Sequence, residues 1–238
     1  MASEFTIFQK YLKRLNEIYL HAYCEYIIFN NVEKLRAPDL LSKKELEDNL
    51  DLLNHYPNFF NAIIDSLKIS FFINLAKLID NSEESLSLNK LINFAQSNRE
   101  KLSVEEFKKT NSDRAFMEDL AKSYKGIQLQ DLLIIKSKLD KTEEIRKKVK
   151  IYRDQYLAHE DINKVKVDIS REDADAIFDL ITDILNTFSL KTDFSTTTFD
   201  LAKSDCERDV RALIENLKIG RKYKKKEIRE RLLNSSTS

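Results

Sequence analysis

From Glu4 to about Asn31 apolar residues return every three or four positions, through Phe8, Leu12, Leu15, Tyr19 and Tyr23, which predicts one long amphipathic helix. Pro38 closes the connection that follows, and Ser42 with Glu45 has the form of a capping box opening a short helix to about His55. Pro57 stands where a first helical turn tolerates proline. The stretch from Phe59 to Asp80 is the most apolar in the chain, yet Asn61, Asp65, Lys68 and Asn74 interrupt it. That pattern predicts a buried central helix and not a membrane span.

Beyond the polar loop NSEESLS, helices are predicted from Leu88 to Asn98, from Ser103 with Glu106 onward, and, after a break at Thr110 to Arg114, up to Tyr124. Gly126 ends that element. A helix from about Leu129 to Asp140 leads into another from Thr142 to Ala158, with or without a break between them. Ser170 with Asp173 starts a strong helix, DADAIFDLITDILNTF, and Ser204 with Glu207 opens a last one ending near Gly220. The alternation in VKVDIS is too short to support a sheet. The whole pattern predicts an all-α, multi-helix bundle with a long N-terminal helix. Its expected organisation is one helical domain over residues 1–220 and a basic, mobile C-terminal tail at 221–238.

Composition agrees. Gly and Pro occur only twice each in 238 residues, far below their usual shares of roughly 7% and 5%, so tight turns are few and a multi-hairpin β fold is excluded. A charged fraction of 34% beside 42% hydrophobic residues suits long helices with solvated outer faces. The formal net charge is zero, so a nucleic-acid role needs a local basic patch. Cys24 and Cys206 are too few and too far apart along the chain for a disulfide framework or a zinc site. The three histidines are scattered, so no metal or cofactor is expected. Gly126 and Gly220 are isolated and form no phosphate loop. Charges run through the apolar positions of the N-terminus, which resembles neither a signal peptide nor a membrane span. A cytoplasmic protein is expected.

One string concentrates chemistry, KIYRDQYLAHED, from Lys150 to Asp161. On a helix Ile145, Val149, Tyr152, Tyr156 and His159 share one stripe, which faces a core or another helix. Arg153 lies beside it. At about 100° per residue, six steps leave Arg153 and His159 about 120° apart, so one ideal helix does not make them converge. A helix ending near Ala158 would release His159 to swing round; a second copy across a two-fold axis would supply the partner group. Arg146, Lys147, Lys148 and Lys150 precede the arginine and form a positive run suited to a phosphate backbone. Glu160, Asp161 and a helix C-terminus would favour the imidazolium form of His159. Taken alone, the residues describe an ordinary helix end with a solvated charge run before they describe a site. Arg14 and His21, inside the first amphipathic helix, show how common such a pairing is, and His55 reads as a helix-end residue.

The string RDQYLAHED resembles the motif of the HEPN superfamily: an arginine, a polar residue and a histidine separated from the arginine by four to six positions. Asp154 fills the polar slot, and the longer pattern YRDQYLAHED looks most like the abortive-infection branch of AbiU type, over roughly residues 59–190. The resemblance implies a helical bundle that forms a homodimer and acts as a metal-independent endoribonuclease, in antiviral defence or as a toxin. Arg153 and His159 would be catalytic, with groups from two protomers lining a shared cleft. Asp154 would orient Arg153 or the backbone, and Tyr156 would pack the seam or touch a base or ribose. Asp161 would orient His159 or simply remain solvated. The basic run would hold RNA, while the tail would add affinity for RNA or keep the terminus soluble. The alternative is a non-catalytic HEPN-like module that binds a nucleotidyltransferase or an antitoxin.

Overall fold

The computed structural model describes residues 2–82, 84–158 and 167–235, and it is all-α: ten α-helices and no strand among the described residues. They are α1 (Glu4–Lys34), α2 (Lys43–His55), α3 (Pro57–Leu78), α4 (Leu88–Ser97), α5 (Val104–Thr110), α6 (Met117–Ser123), α7 (Leu129–Lys141), α8 (Glu143–Tyr152), α9 (Arg171–Asp193) and α10 (Asp200–Ser235). The capping boxes read at Ser42 and Ser170 form as expected, each serine oxygen accepting from the backbone three residues on while the acidic residue reaches back. Thr142 separates α7 from α8, because its backbone leaves the helical region and its N–H and hydroxyl turn back to the Leu139 carbonyl.

By internal contacts the chain divides into two compact units. The first holds α1 up to Tyr23, the end of α3 from Ser70, and α4 to α9. Its centre is a seam of α1 and α9. Phe5, Phe8, Leu12, Leu15 and Tyr19, at the three-and-four spacing the sequence predicts, are buried, as are Ile177, Phe178, Ile181, Ile184, Leu185 and Phe188 of α9. Phe8 meets Phe188 edge to face with centroids 5.5 Å apart, and Tyr19 meets Phe178 at 5.8 Å. The Tyr19 hydroxyl shares a 2.6 Å hydrogen bond with Thr182, and burial pushes that phenol well above its ordinary pKa. It therefore stays neutral and its one polar atom is satisfied.

The second unit holds α1 from Cys24, α2, α3 to Ile69, and α10. Its core joins Val32, Leu52, Leu53, Phe60, Ile64 and Ile214, with Val210 and Leu217 of α10 packed against them. Outside this core Asp51 of α2 accepts from Arg221 at 2.7 Å and from Lys225 at 2.9 Å. Cys24 and Cys206, distant in sequence, lie side by side here. Burial and then the hydrogen bond to Cys24 push the Cys206 thiol up to about 12.

Three expectations are revised. The last helix begins at Asp200, ahead of Ser204, and runs through Gly220 to Ser235, so residues 221–235 are helical. Arg221 and Lys225 fall on the turn that faces Asp51, which gives the helix a reason to continue. Helix α3 is not uniformly buried: Phe60, Ile64, Phe71, Phe72 and Leu75 are buried, while Phe59 and Ile69 are exposed. By length and composition this helix is apolar enough to cross a membrane, and only 33% of its most apolar window is buried within the protein. The Asp65 and Lys68 side chains remain on it.

The two glycines therefore differ in kind. Gly126 precedes α7 with φ +61°, and a Cβ there would lie 3.1 Å from the Leu102 carbonyl oxygen. Gly220 lies inside α10 with open space where a Cβ would go. Gly220→Ala is expected to stabilise the protein by up to about 1 kcal/mol, and Gly126→Ala to destabilise it by about 1–2 kcal/mol. Chemical denaturation of the two variants beside wild type checks the opposite signs; a loss from Gly220→Ala would contradict the continuous helix.

Candidate functional site

Helix α8 presents two faces. One carries Ile145, buried Val149 and Tyr152, whose ring lies 4.7 Å from that of Phe72 on α3. The other carries Glu143, Arg146, Lys147 and Lys150, three or four steps apart, with Arg153 next in line. These five side chains line one wall of a cavity of about 460 Å³ in the first unit. Asp80 and Asn81 after α3, Asn89 of α4, and Lys136 and Asp140 of α7 line the rest, over an apolar floor of Ala76, Ile79 and Leu139.

From Arg153 to Ala158 the chain does not continue as an α-helix but winds as a π-helical turn. Such turns are rare and occur often at functional sites, because the widened backbone reorients the side chains that follow. The motif string thus begins where the regular helix ends. Tyr156 contributes backbone to this turn, whereas His159 and Asp161 lie outside the described residues.

Arg153 is held firmly. Its Nε donates to Asp154 Oδ1 at 2.6 Å, and a terminal nitrogen lies equally close to the same oxygen. The other terminal nitrogen is 3.6 Å from Asp80 Oδ2, near enough for electrostatic attraction but too far for a hydrogen bond. Asp80 is itself fixed: the Ser82 N–H donates to one oxygen at 3.2 Å and the Ser85 hydroxyl to the other at 3.4 Å. The guanidinium thus stands at the cavity with one edge clamped and N–H groups left for an oxyanion.

The remaining cations differ in what engages them. Lys136 donates to the Gln96 side-chain oxygen at 2.6 Å. Arg146 donates to the Leu139 carbonyl at the end of α7 at 3.0 Å, while its buried Nε finds no partner among the described groups. Lys147 is paired with Glu144 and Glu143 at 2.9 and 3.0 Å, and these carboxylates, Glu144 first, raise its pKa. Lys150 makes no ion pair with a described residue. Lys148 points away from this wall and donates to Asp173 of α9 at 2.8 Å. Of the basic run, then, Arg146, Lys147 and Lys150 meet Arg153 at the cavity, and Lys148 joins two helices.

Sequence reasoning did not find Asp80, Asn81, Asn89 or Lys136. They come from the segment after α3, from α4 and from α7, and only the packing of those elements brings them to α8. Asp154, read from the sequence as the polar slot of the motif, has its Oδ1 on the Arg153 guanidinium. Of the other histidines, His21 is exposed on α1 and His55 ends α2 with its ring against Tyr56. Among the described residues no three His, Cys, Asp or Glu side chains are grouped closely enough to hold a metal ion.

Comparison with known proteins gives one finding. A family model of HEPN type, described as AbiU2, matches residues 5–213, well over half of the chain. The curated proteins and the solved structures yield no match.

The Lys148–Asp173 pair carries a pH consequence. Lys148's hydrogen bond, aided by the Ser170 N–H, holds the Asp173 carboxyl below the usual carboxylate range. A carboxyl lowered on folding contributes stability that is present above its unfolded pKa of about 4 and lost as pH falls through the lower folded value. Asp173→Asn is expected to lower the thermal midpoint at neutral pH, with the gap from wild type closing as the pH falls towards about 3. Circular dichroism melts across that range check it; a gap that stays constant would show that the charge of Asp173 plays no part.

Proposed function

Since the chain belongs to the abortive-infection-related HEPN family AbiU2, we propose that it is a metal-independent endoribonuclease acting as a defence effector or toxin, and that it works as a homodimer. The observation that carries this reading is Arg153, clamped by Asp154 at the first residue of a π-helical turn and facing a cavity whose walls hold four further cations. An ordinary solvated helix end would leave its arginine mobile in water. Here two carboxylates orient it beside a space large enough for a phosphodiester group.

The chemistry needs little else. The 2′-hydroxyl of RNA attacks the adjacent phosphorus while a base takes its proton. Negative charge builds on the non-bridging oxygens, and the 5′-oxygen leaves with a proton from an acid, giving a 2′,3′-cyclic phosphate. Arg153 stabilises the charge on phosphorus through the N–H groups that Asp154 leaves open. His159, six residues on, exchanges the protons, since imidazole gives and takes them near neutral pH. Two protomers sharing the cleft would provide both acid and base. Arg146 and Lys150 neutralise flanking phosphates, and the apolar floor with Asn81 and Asn89 receives sugar or base.

The test is cleavage of mixed RNA by the purified chain in chelator, with Arg153→Ala and His159→Ala beside wild type. Wild type is expected to leave cyclic-phosphate ends, and His159→Ala to lose on the order of 10²–10⁴-fold in rate while melting like wild type. Undiminished cleavage by His159→Ala would overturn the reading, and no cleavage by wild type would favour a non-catalytic module that binds a nucleotidyltransferase or antitoxin. Binding by the His159→Ala protein separates the lysines. Lys150→Ala should reduce the slope of log affinity against log salt by about one, whereas Lys148→Ala should leave it unchanged. Equal effects would mean that the cavity does not select which cations meet the strand.

A further inference from the structure

The second unit contains a cavity that the motif does not touch. It is about 250 Å³ and lies among the end of α1, the segment leading into α2, α2 itself and α10. At its floor stands Asn49, only 4% exposed. Its Oδ1 is fully buried and finds no hydrogen-bond partner among the described residues. An unpaired buried amide costs about 1–3 kcal/mol, and such groups are few in folded proteins. No packing need explains this one, since leucine would fill the same space and add to the adjacent core of Val32, Leu52, Leu53 and Ile214.

The walls narrow the choice of ligand. Leu35, Leu41, Val210 and Ile214 line the cavity with apolar surface. Its charged groups are Lys34, Arg211 and Lys218 together with Glu207 and Glu215. None of these five forms an ion pair within the described chain, although 21 such pairs occur elsewhere in it. Charges of both signs left apart around an apolar slot suit a ligand that brings its own anion and its own hydroxyl donors. A simple inorganic anion would gain nothing from Asn49 or from the apolar walls.

We infer that this cavity binds a nucleoside 5′-monophosphate, with its base between the apolar walls and its edge on the Asn49 amide. Because the Asn49 Oδ1 is covered in the free protein, the amide turns about its own side chain towards the slot, and a base edge there offers the adjacent N–H and acceptor that an asparagine amide pairs with in two hydrogen bonds. The phosphate lies at the rim on Arg211, Lys34 or Lys218, and the sugar hydroxyls donate to Glu207 or Glu215. The volume lies just below the range of about 300–1,000 Å³ usual for ligand pockets, so base and sugar fill it and the phosphate remains outside. The site is independent of the α8 motif and stands or falls separately from the nuclease reading.

Titration calorimetry of the full chain with AMP, GMP, CMP and UMP tests this. At least one is expected to bind saturably, one per chain, in the micromolar range, and inorganic phosphate alone is expected to bind far more weakly. Asn49→Leu should weaken that nucleotide at least tenfold while raising the melting temperature, because it removes an unsatisfied buried acceptor. Arg211→Ala, at an exposed position that folding does not need, should weaken it several-fold and flatten its salt dependence. The inference is overturned if none of the four nucleotides binds up to millimolar concentration, or if phosphate alone binds as tightly. It also fails if both variants, or Arg211→Ala and Lys218→Gln where Asn49→Leu does not fold, bind as wild type does. A DNA hexamer of the preferred base is expected not to compete, and displacement by it would overturn a site for the free nucleotide.

Discussion

The buried seam between α1 and α9 is the constraint on which the first unit depends. It is aromatic along its length, with Phe8 on Phe188 and Tyr19 on Phe178, and the Tyr19 hydroxyl is tied to Thr182. Each aromatic side chain buried here is worth several kcal/mol when truncated, whereas the exposed ion pairs around it are worth a fraction of one. The ion pairs do something else. Lys138 with Asp183, Lys191 with Asp131 and Lys148 with Asp173 run from α7 and α8 to α9. They set the rotation of α7 and α8 on a base that the seam has already fixed. Rotation is what the cavity needs, because a turn of α8 by one residue would carry Lys150 away from it and bring the apolar stripe forward.

Helix α8 thus has no spare face. Val149 and Tyr152 look inward, Arg146 and Lys150 look to the cavity, and Lys148 reaches α9. The α-helical repeat can serve all three only as far as Tyr152. Beyond it the chain winds as a π-helical turn, and the positions from Arg153 to Ala158 no longer follow the spacing of the helix before them. A geometric argument that carries about 100° per residue through to His159 therefore uses the wrong period from Arg153 onward. The difficulty of bringing arginine and histidine together on one ideal helix belongs to a helix that the protein does not form.

Much of the fold was legible because its signals are local. The stripe of α1, the capping boxes at Ser42 and Ser170, and the break around Asn111 all depend on residues within a turn or two. What the sequence hid depends on distant residues. Gly220 reads as a stop because glycine weakens a helix, but Asp51, held on another helix, draws Arg221 and Lys225 into its next turn. Cys24 and Cys206 read as unrelated and are neighbours. At the site, Arg153, Asp154 and the basic run lie within nine residues and were visible, whereas Asp80 arrives from the segment after α3, Asn89 from α4 and Lys136 from α7. The π-helical turn leaves no composition signal, since RDQYLA would be acceptable in an ordinary helix.

A formal charge of zero is weak grounds for doubting that such a protein meets RNA. Beyond the Debye length of about 8–10 Å the field of the net charge is largely screened, while a strand in contact responds to the charges within that distance. Many cations here are cancelled by a neighbour three or four residues away, as in Arg14 with Glu17, Lys122 with Asp119 and Arg231 with Glu227. The cavity beside α8 departs from that habit: five cationic side chains face three carboxylates. Two of those carboxylates are already engaged, Glu143 by Lys147 and Asp80 by Arg153 with its two serines. Among the described residues Lys136, Arg146 and Lys150 have no acidic partner that an incoming phosphate would first displace, and the Nε of Arg146 is left unpaired by them.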